Sequence, residues 1–95
     1  MQIAVRFTGP MRGLAGHKEL ALALDDGSTL RDLFCALRQV LPEAMDEQVL
    51  APMARGAAPL SLILVNRHQP DGSVGVDAVL ENNDVVAFVP PMAGG

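Results

Sequence analysis

Ile3, Val5 and Phe7 alternate with Gln2, Ala4, Arg6 and Thr8, the two-residue period of a strand with one buried face. Gly9-Pro10 breaks the alternation, and Gly13 and Gly16 predict a loop-like connection. Leu20, Leu22 and Leu24 then alternate with Glu19, Ala21 and Ala23. Alanine is a poor strand former, so this second strand rests on the alternation alone. Asp25-Asp26-Gly27 predicts the turn that ends it. The clearest periodic signal follows. Leu30, Leu33, Phe34, Leu37 and Leu41 fall on one stripe at helical spacing. Thr29 and Asp32 stand as a capping box with Asp in place of Glu or Gln, and Pro42 supplies the stop. Arg31, Asp32, Arg38 and Gln39 fall off the stripe.

From Glu43 to Pro59 the pattern weakens, and a short helix with an irregular connection is expected. Leu62-Ile63-Leu64-Val65 is continuously apolar, as an interior strand would be. Pro70-Asp71-Gly72 and Asn82-Asn83-Asp84 are turn signals, and Val74 to Leu80 between them reads as a short edge strand or a single helical turn. Val85 to Val89 is a final apolar strand, stopped by Pro90-Pro91. Two opening strands joined by a short loop make a hairpin, and one amphipathic helix can cover one face of the sheet. The result is an α+β, two-layer design. It fits a β-grasp, or ubiquitin-like, fold: a mixed sheet of four to five strands with one main helix across one face. Residues 1–90 are read as a single β-grasp domain and residues 91–95 as a flexible C-terminal Gly-Gly tail. Leu33, Phe34 and Leu37 are expected to pack on Val5, Phe7 and Leu64.

Composition narrows the function. Apolar residues make up 49% of the 95, so a packed core is expected. The net charge is -4 and aromatics are 3%, which argues against nucleic acid: a phosphate backbone needs a basic stripe and single strands need stacking rings. No apolar run approaches the roughly 18 residues of a membrane span, and the N-terminus lacks signal-peptide regions, so a cytoplasmic chain is expected. Cys35 is the only cysteine. It lies off the helical stripe with no activating neighbour and reads as a structural, partly exposed thiol. His17 and His68 read as surface histidines rather than metal ligands, and no metal is expected. Asp25-Asp26 and Asp46-Glu47 read as solvated charges.

The chain ends in Gly94-Gly95. With average glycine usage this occurs by chance only about 0.5% of the time, although small terminal residues are also what a frayed end carries. Pro90-Pro91 upstream changes the balance, because it stiffens the exit from the last strand. From Pro91 an extended tail reaches at most about 17 Å. Its glycine tip can enter a tunnel that a Cβ would block. Such a tail suits a carboxylate handed between enzymes, made reactive as an acyl-adenylate and then converted to a thiocarboxylate. Phe88, Val86 and Leu62, on strands expected to be central, read as core, but the helix covers only one sheet face, so some alternating residues on these strands must face outward. An exposed apolar patch beside the tail would be a docking surface.

Leu80-Glu81-Asn82-Asn83-Asp84-Val85-Val86-Ala87-Phe88-Val89-Pro90-Pro91-Met92-Ala93-Gly94-Gly95 resembles the ending of the MoaD/ThiS-type ubiquitin-like sulfur carriers, MoaD above all, usually L-x-D-G-D-x-V-A-F-x-P-P-x-x-G-G. Phe7 to Gly16 resembles their first hairpin, and Val65-Asn66 their V-N strand end. Asn82-Asn83 stands where Asp-Gly is common and still permits positive φ; Gly13 stands where an acidic residue is usual. The resemblance implies a sulfur carrier, the small subunit of molybdopterin synthase. Gly95 would be adenylated and thiocarboxylated, Gly94 would let the tail thread, and Pro90, Pro91, Met92, Ala93 and Phe88 would meet partners. It implies three partners: an E1-like adenylyltransferase of the MoeB/ThiF type that uses ATP, a sulfurtransferase relay, and a MoaE-like large subunit that holds the catalytic residues. No cofactor would be bound by the chain itself. The alternatives are a carrier for thiazole, cysteine, thiolated tRNA or a secondary metabolite, a protein modifier conjugated through Gly95, and a plain interaction module.

Overall fold

The computed structural model describes residues 1–56, 63–68 and 75–89. Strand β1 (Gln2–Phe7) is followed by helix α1 (Pro10–Ala15), strand β2 (Glu19–Ala23) and helix α2 (Leu30–Val40). Helix α3 (Glu43–Met45), a π-helical turn (Asp46–Leu50) and helix α4 (Ala51–Ala54) come next. Strand β3 (Ile63–Val65), a 3-10 turn (Gly75–Asp77) and strand β4 (Val85–Phe88) complete the described elements. The four strands form one sheet in the order β2-β1-β4-β3. β1 pairs antiparallel with β2 and parallel with β4, and β3 pairs antiparallel with β4. The sheet is therefore mixed, with the first and last described strands side by side at its centre.

The alternation in β1 has the predicted outcome. Ile3, Val5 and Phe7 are buried while Gln2 and Arg6 are exposed. Across α2, Leu30, Leu33, Phe34 and Leu37 are buried. Its capping box is complete: the Thr29 hydroxyl accepts from the Asp32 backbone N–H, and the Asp32 carboxylate accepts from the Thr29 backbone N–H. The chain's three phenylalanines meet in the core. The Phe7 and Phe88 rings stack with centroids 5.5 Å apart, and Phe34 leans on Phe88 at 6.3 Å. One contact binds neighbouring strands and the other binds the helix to the sheet.

Four expectations need correction. The Gly9–Gly16 connection is not a loop throughout: Pro10 starts a short helix, for which its fixed φ is suited. Gly16 ends it at φ 75°, with its N–H bonded to the Arg12 carbonyl, a left-handed cap that glycine adopts without strain. β3 is an edge strand of the described sheet, not an interior one. A short edge strand can still be apolar when one face packs on the core, as Ile63 does. Leu64, expected under α2, points to the other face, and Ile63 takes the core position. The stretch after Pro42 is more helical than its weak pattern predicts, continuing to Ala54 and burying Met45, Val49, Leu50 and Met53. Pro52 has no N–H to give and its ring crowds the preceding turn. The wider π-helical turn lies immediately before it, with the Ala51 N–H bonded to the Asp46 carbonyl.

Of the two readings for Val74 to Leu80, a helical turn at Gly75–Asp77 is observed, followed by an isolated bridge between Thr29 and Val79. Asn83 takes φ 70°, as its turn position demands. Leu62, Pro59 and the Pro70-Asp71-Gly72 turn lie outside the described residues. No described helix is long and apolar enough to cross a membrane.

Candidate functional site

The end of β4 is the launching point for the C-terminal segment, and its last carbonyl is held twice. The Thr8 backbone N–H donates to the Phe88 carbonyl at 3.2 Å and the Thr8 hydroxyl donates to it at 3.0 Å. Arg12 Nε donates to the Phe7 carbonyl at 3.0 Å, so the matching end of β1 is tied to α1. Phe7 and Phe88 are register partners. The chain thus leaves the middle of the sheet from a fixed position, half-buried at Val89.

Beside this point lies the sheet face that α2 does not cover. Its residues are the off-parity positions of each strand. Ala4 stands opposite Ala21 and beside Val85, while Arg6 stands opposite Glu19 and beside Ala87. Leu64 is the register partner of Ala87. The alanines that weakened the strand pattern of β2 belong to this outer face, where their small side chains leave the sheet smooth. A trough of about 430 Å³ runs across it. Leu64, Val85 and Ala87 form its apolar floor, Arg6 and Thr8 flank one side, and Asn66 and Arg67 the other.

The Asn66–Arg67 side is a tight hairpin turn. Val65 and His68 exchange both backbone hydrogen bonds, at 2.7 and 3.0 Å. Asn66 and Arg67 between them have φ of 51° and 72°, the pattern of a type I′ turn. Asn66 also locks the start of β4. Its backbone N–H donates to the Val85 carbonyl, its Oδ1 accepts from the Val85 N–H, and its Nδ2 donates to Asp84. Asp84, nearly buried, also accepts from the Glu81 N–H at 2.8 Å. That turn and that network were not read from Val65-Asn66. Asn at the first of two turn positions was the available signal.

The sequence-predicted site residues divide cleanly. Pro90, Pro91, Met92, Ala93, Gly94 and Gly95 lie outside the described residues. Phe88 is core, as read from its strand: it is 0% exposed and stacked on Phe7, so the partner contact implied by the resemblance is corrected, and Ala87 and Val85 present β4 to the outside instead. Cys35 is exposed on α2, and His17 and His68 are exposed. Among the described residues no group of three or more His, Cys, Asp or Glu side chains is placed to hold a metal.

Comparison with known proteins places this architecture. The model of the ThiS family matches residues 5–95. No curated protein sequence matches the chain. A putative molybdopterin converting factor subunit 1 from Pyrococcus furiosus is 25% identical over 97% of this chain and 99% of its own, with a TM-score of 0.74. Urm1 from Trypanosoma brucei is 26% identical over 99% and 95%, at 0.72. A chain from the complex of subunits 1 and 2 of the Helicobacter pylori molybdopterin-converting factor is 25% identical, with both chains covered in full, at 0.64. With the family pattern spanning the β-grasp sheet, its covering helix and the Gly-Gly terminus, this chain belongs to the ThiS family of ubiquitin-like, MoaD/ThiS-type sulfur carriers.

Proposed function

We propose that the chain carries sulfur on Gly95 as the small subunit of a molybdopterin synthase. An E1-like adenylyltransferase of the MoeB/ThiF type uses ATP to turn the Gly95 carboxylate into an acyl-adenylate, releasing pyrophosphate. Sulfide displaces AMP directly and leaves a thiocarboxylate. A persulfide from a sulfurtransferase does so through an acyl disulfide, which a second thiol reduces. A MoaE-like large subunit then receives the tail, and its own residues carry out the transfer to cyclic pyranopterin monophosphate. The chain binds no cofactor in this cycle; ATP belongs to the activating enzyme. Reagent and catalyst are separate proteins, which is why a carrier needs a projecting end and a docking face.

The observation that carries this reading is a family match that runs to Gly95 itself, on a fold whose central strand β4 leads into that end. The choice of molybdopterin is supported by the two neighbours named as molybdopterin converting factor subunits, one of them from a complex with its subunit 2. The test is reconstitution. Full-length protein, the activating enzyme, ATP and a sulfur source should yield a product heavier by the difference between sulfur and oxygen. Adding the large subunit and cyclic pyranopterin monophosphate should consume that product and form molybdopterin. Sulfur loading without molybdopterin formation would move the chain to another acceptor pathway. No mass gain, with the activating enzyme verified on another carrier, would end the sulfur-carrier reading, and lysine-linked conjugates in its place would indicate a protein modifier.

A further inference from the structure

Two donors from one residue converge on the last carbonyl of β4. The Thr8 hydroxyl donates to the Phe88 oxygen at 3.0 Å and the Thr8 backbone N–H donates to it at 3.2 Å. The backbone bond continues the parallel pairing of β1 with β4, and any residue but proline could make it. The hydroxyl bond depends on the side chain. A carbonyl oxygen has two lone pairs, so the second donor adds to the first rather than replacing it. The donor side is itself anchored. The Phe7 carbonyl accepts from Arg12 Nε at 3.0 Å, and the buried Phe7 ring stacks on Phe88. Thr8 is thus tied through its neighbour to α1 and to the core.

Peptide planarity carries the effect onward. The Phe88 carbonyl, the Val89 N–H and the Val89 Cα share one plane. Two donors on that carbonyl therefore orient the plane and fix where Val89 begins. Val89 is half-buried. Positions 90–95 follow it, and they can span at most about 20 Å. A swing of about 10° in the plane would displace the end of so long a lever by about 3.5 Å. Misplacements of about 1 Å already slow reactions that depend on alignment.

We infer that Thr8 is a positioning residue for the reaction at Gly95: its hydroxyl, through the Phe88 carbonyl, orients the peptide plane from which the tail departs. The role rests on the carrier reading. A tail with a narrow range of bearings meets the activating enzyme already aligned. A wider range lowers the fraction of competent molecules and raises the apparent dissociation constant in proportion.

Full-length wild type, Thr8→Val and Thr8→Ser are compared. Valine keeps the β-branch and the backbone N–H but has no hydroxyl, and serine restores the hydroxyl. The first measurement is amide nitrogen-15 relaxation of the free protein, because the Val89 N–H lies in the plane in question. Thr8→Val should lower the Val89 order parameter from a rigid value of about 0.85 toward about 0.6, with Val86 and Leu37 unchanged. Thr8→Ser should restore it. The second measurement is adenylation by the E1-like adenylyltransferase with ATP. In Thr8→Val, KM should rise about fivefold with kcat unchanged, the scale of ordering one flexible group on binding. Thr8→Ser should return KM to the wild-type value. A Val89 amide equally ordered in Thr8→Val and wild type would overturn the inference, and any change in KM would then belong to direct contact with the enzyme. A loosened Val89 with wild-type kinetics would overturn it too, because the orientation would not matter to the reaction. Loss of order at Val86 and Leu37 as well would make Thr8 a folding residue instead. No adenylation of wild type, by an enzyme verified on another carrier, would remove the carrier reading and this role with it. The relaxation result, taken on the free chain, would still report whether the hydroxyl holds the plane.

Discussion

Phe88 shows what a two-residue period can and cannot specify. The apolar run Val85 to Val89 offers two parities, and either could face the helix. Pairing with β1 decides between them, because Val86 and Phe88 stand beside Val5 and Phe7, whose burial the β1 alternation already indicated. The same step sends Ala87 and Leu64 outward. Parity within β1 was thus legible, while the parity of β3 and β4 needed long-range pairing that no local pattern contains. Phe34 is the residue on which the layers depend, since its ring meets Phe88 from the helix side and is 1% exposed. Phe34→Ala should cost about 3–5 kcal/mol, the loss of transfer free energy plus an unfilled cavity. A loss below about 1 kcal/mol in denaturant melts would be too small for an emptied core site.

Among the elements, those with strong local chemistry were the readable ones. Helix α2 combines an apolar stripe, a capping box and a proline stop, and it runs Leu30–Val40 as those signals require. Helix α1 has six residues and two flanking glycines, so its composition looks like a loop. It forms because Pro10 and Gly16 suit its two ends and because Met11 and Ala15 are buried. The segment through Pro52 has the same difficulty in another form: tertiary burial of Met45, Leu50 and Met53 holds a helix that the proline distorts. The cap of α2 can be tested separately from its stripe. Thr29→Ala removes the acceptor for the Asp32 N–H and should cost about 1 kcal/mol. Thr29→Ser retains the hydroxyl and should recover most of it. Equal losses in the two variants would assign the effect to the Thr29 methyl or to the bridge with Val79 rather than to the cap.

At the level of the whole molecule, the sheet order places β4 between β1 and β3, so the chain finishes its last described strand at the centre rather than at an edge. The fold class was legible because element order, one strong helix and the terminal motif agreed; the trough was not, because Arg6 is distant in sequence from Leu64, Arg67 and Ala87 and meets them only through strand pairing. The reading of the Gly-Gly terminus rests on the order of the last residues, with Pro90-Pro91 before it and the resemblance of the whole ending, and the functional proposal depends on it most. Deleting Gly95 removes the carbonyl on which adenylation is proposed to act, so the deletion should abolish both adenylate formation and sulfur loading. Gly94→Val should do the same with the terminal carboxylate still present, through added bulk and restricted backbone angles. Neither change removes a buried side chain, so denaturant midpoints should match wild type. That combination, lost transfer with retained stability, separates a threading role from a folding role. Sulfur loading that persists in the Gly95 deletion would place the modified atom elsewhere, and the exposed Cys35 thiol would be the first to examine by alkylation before mass analysis.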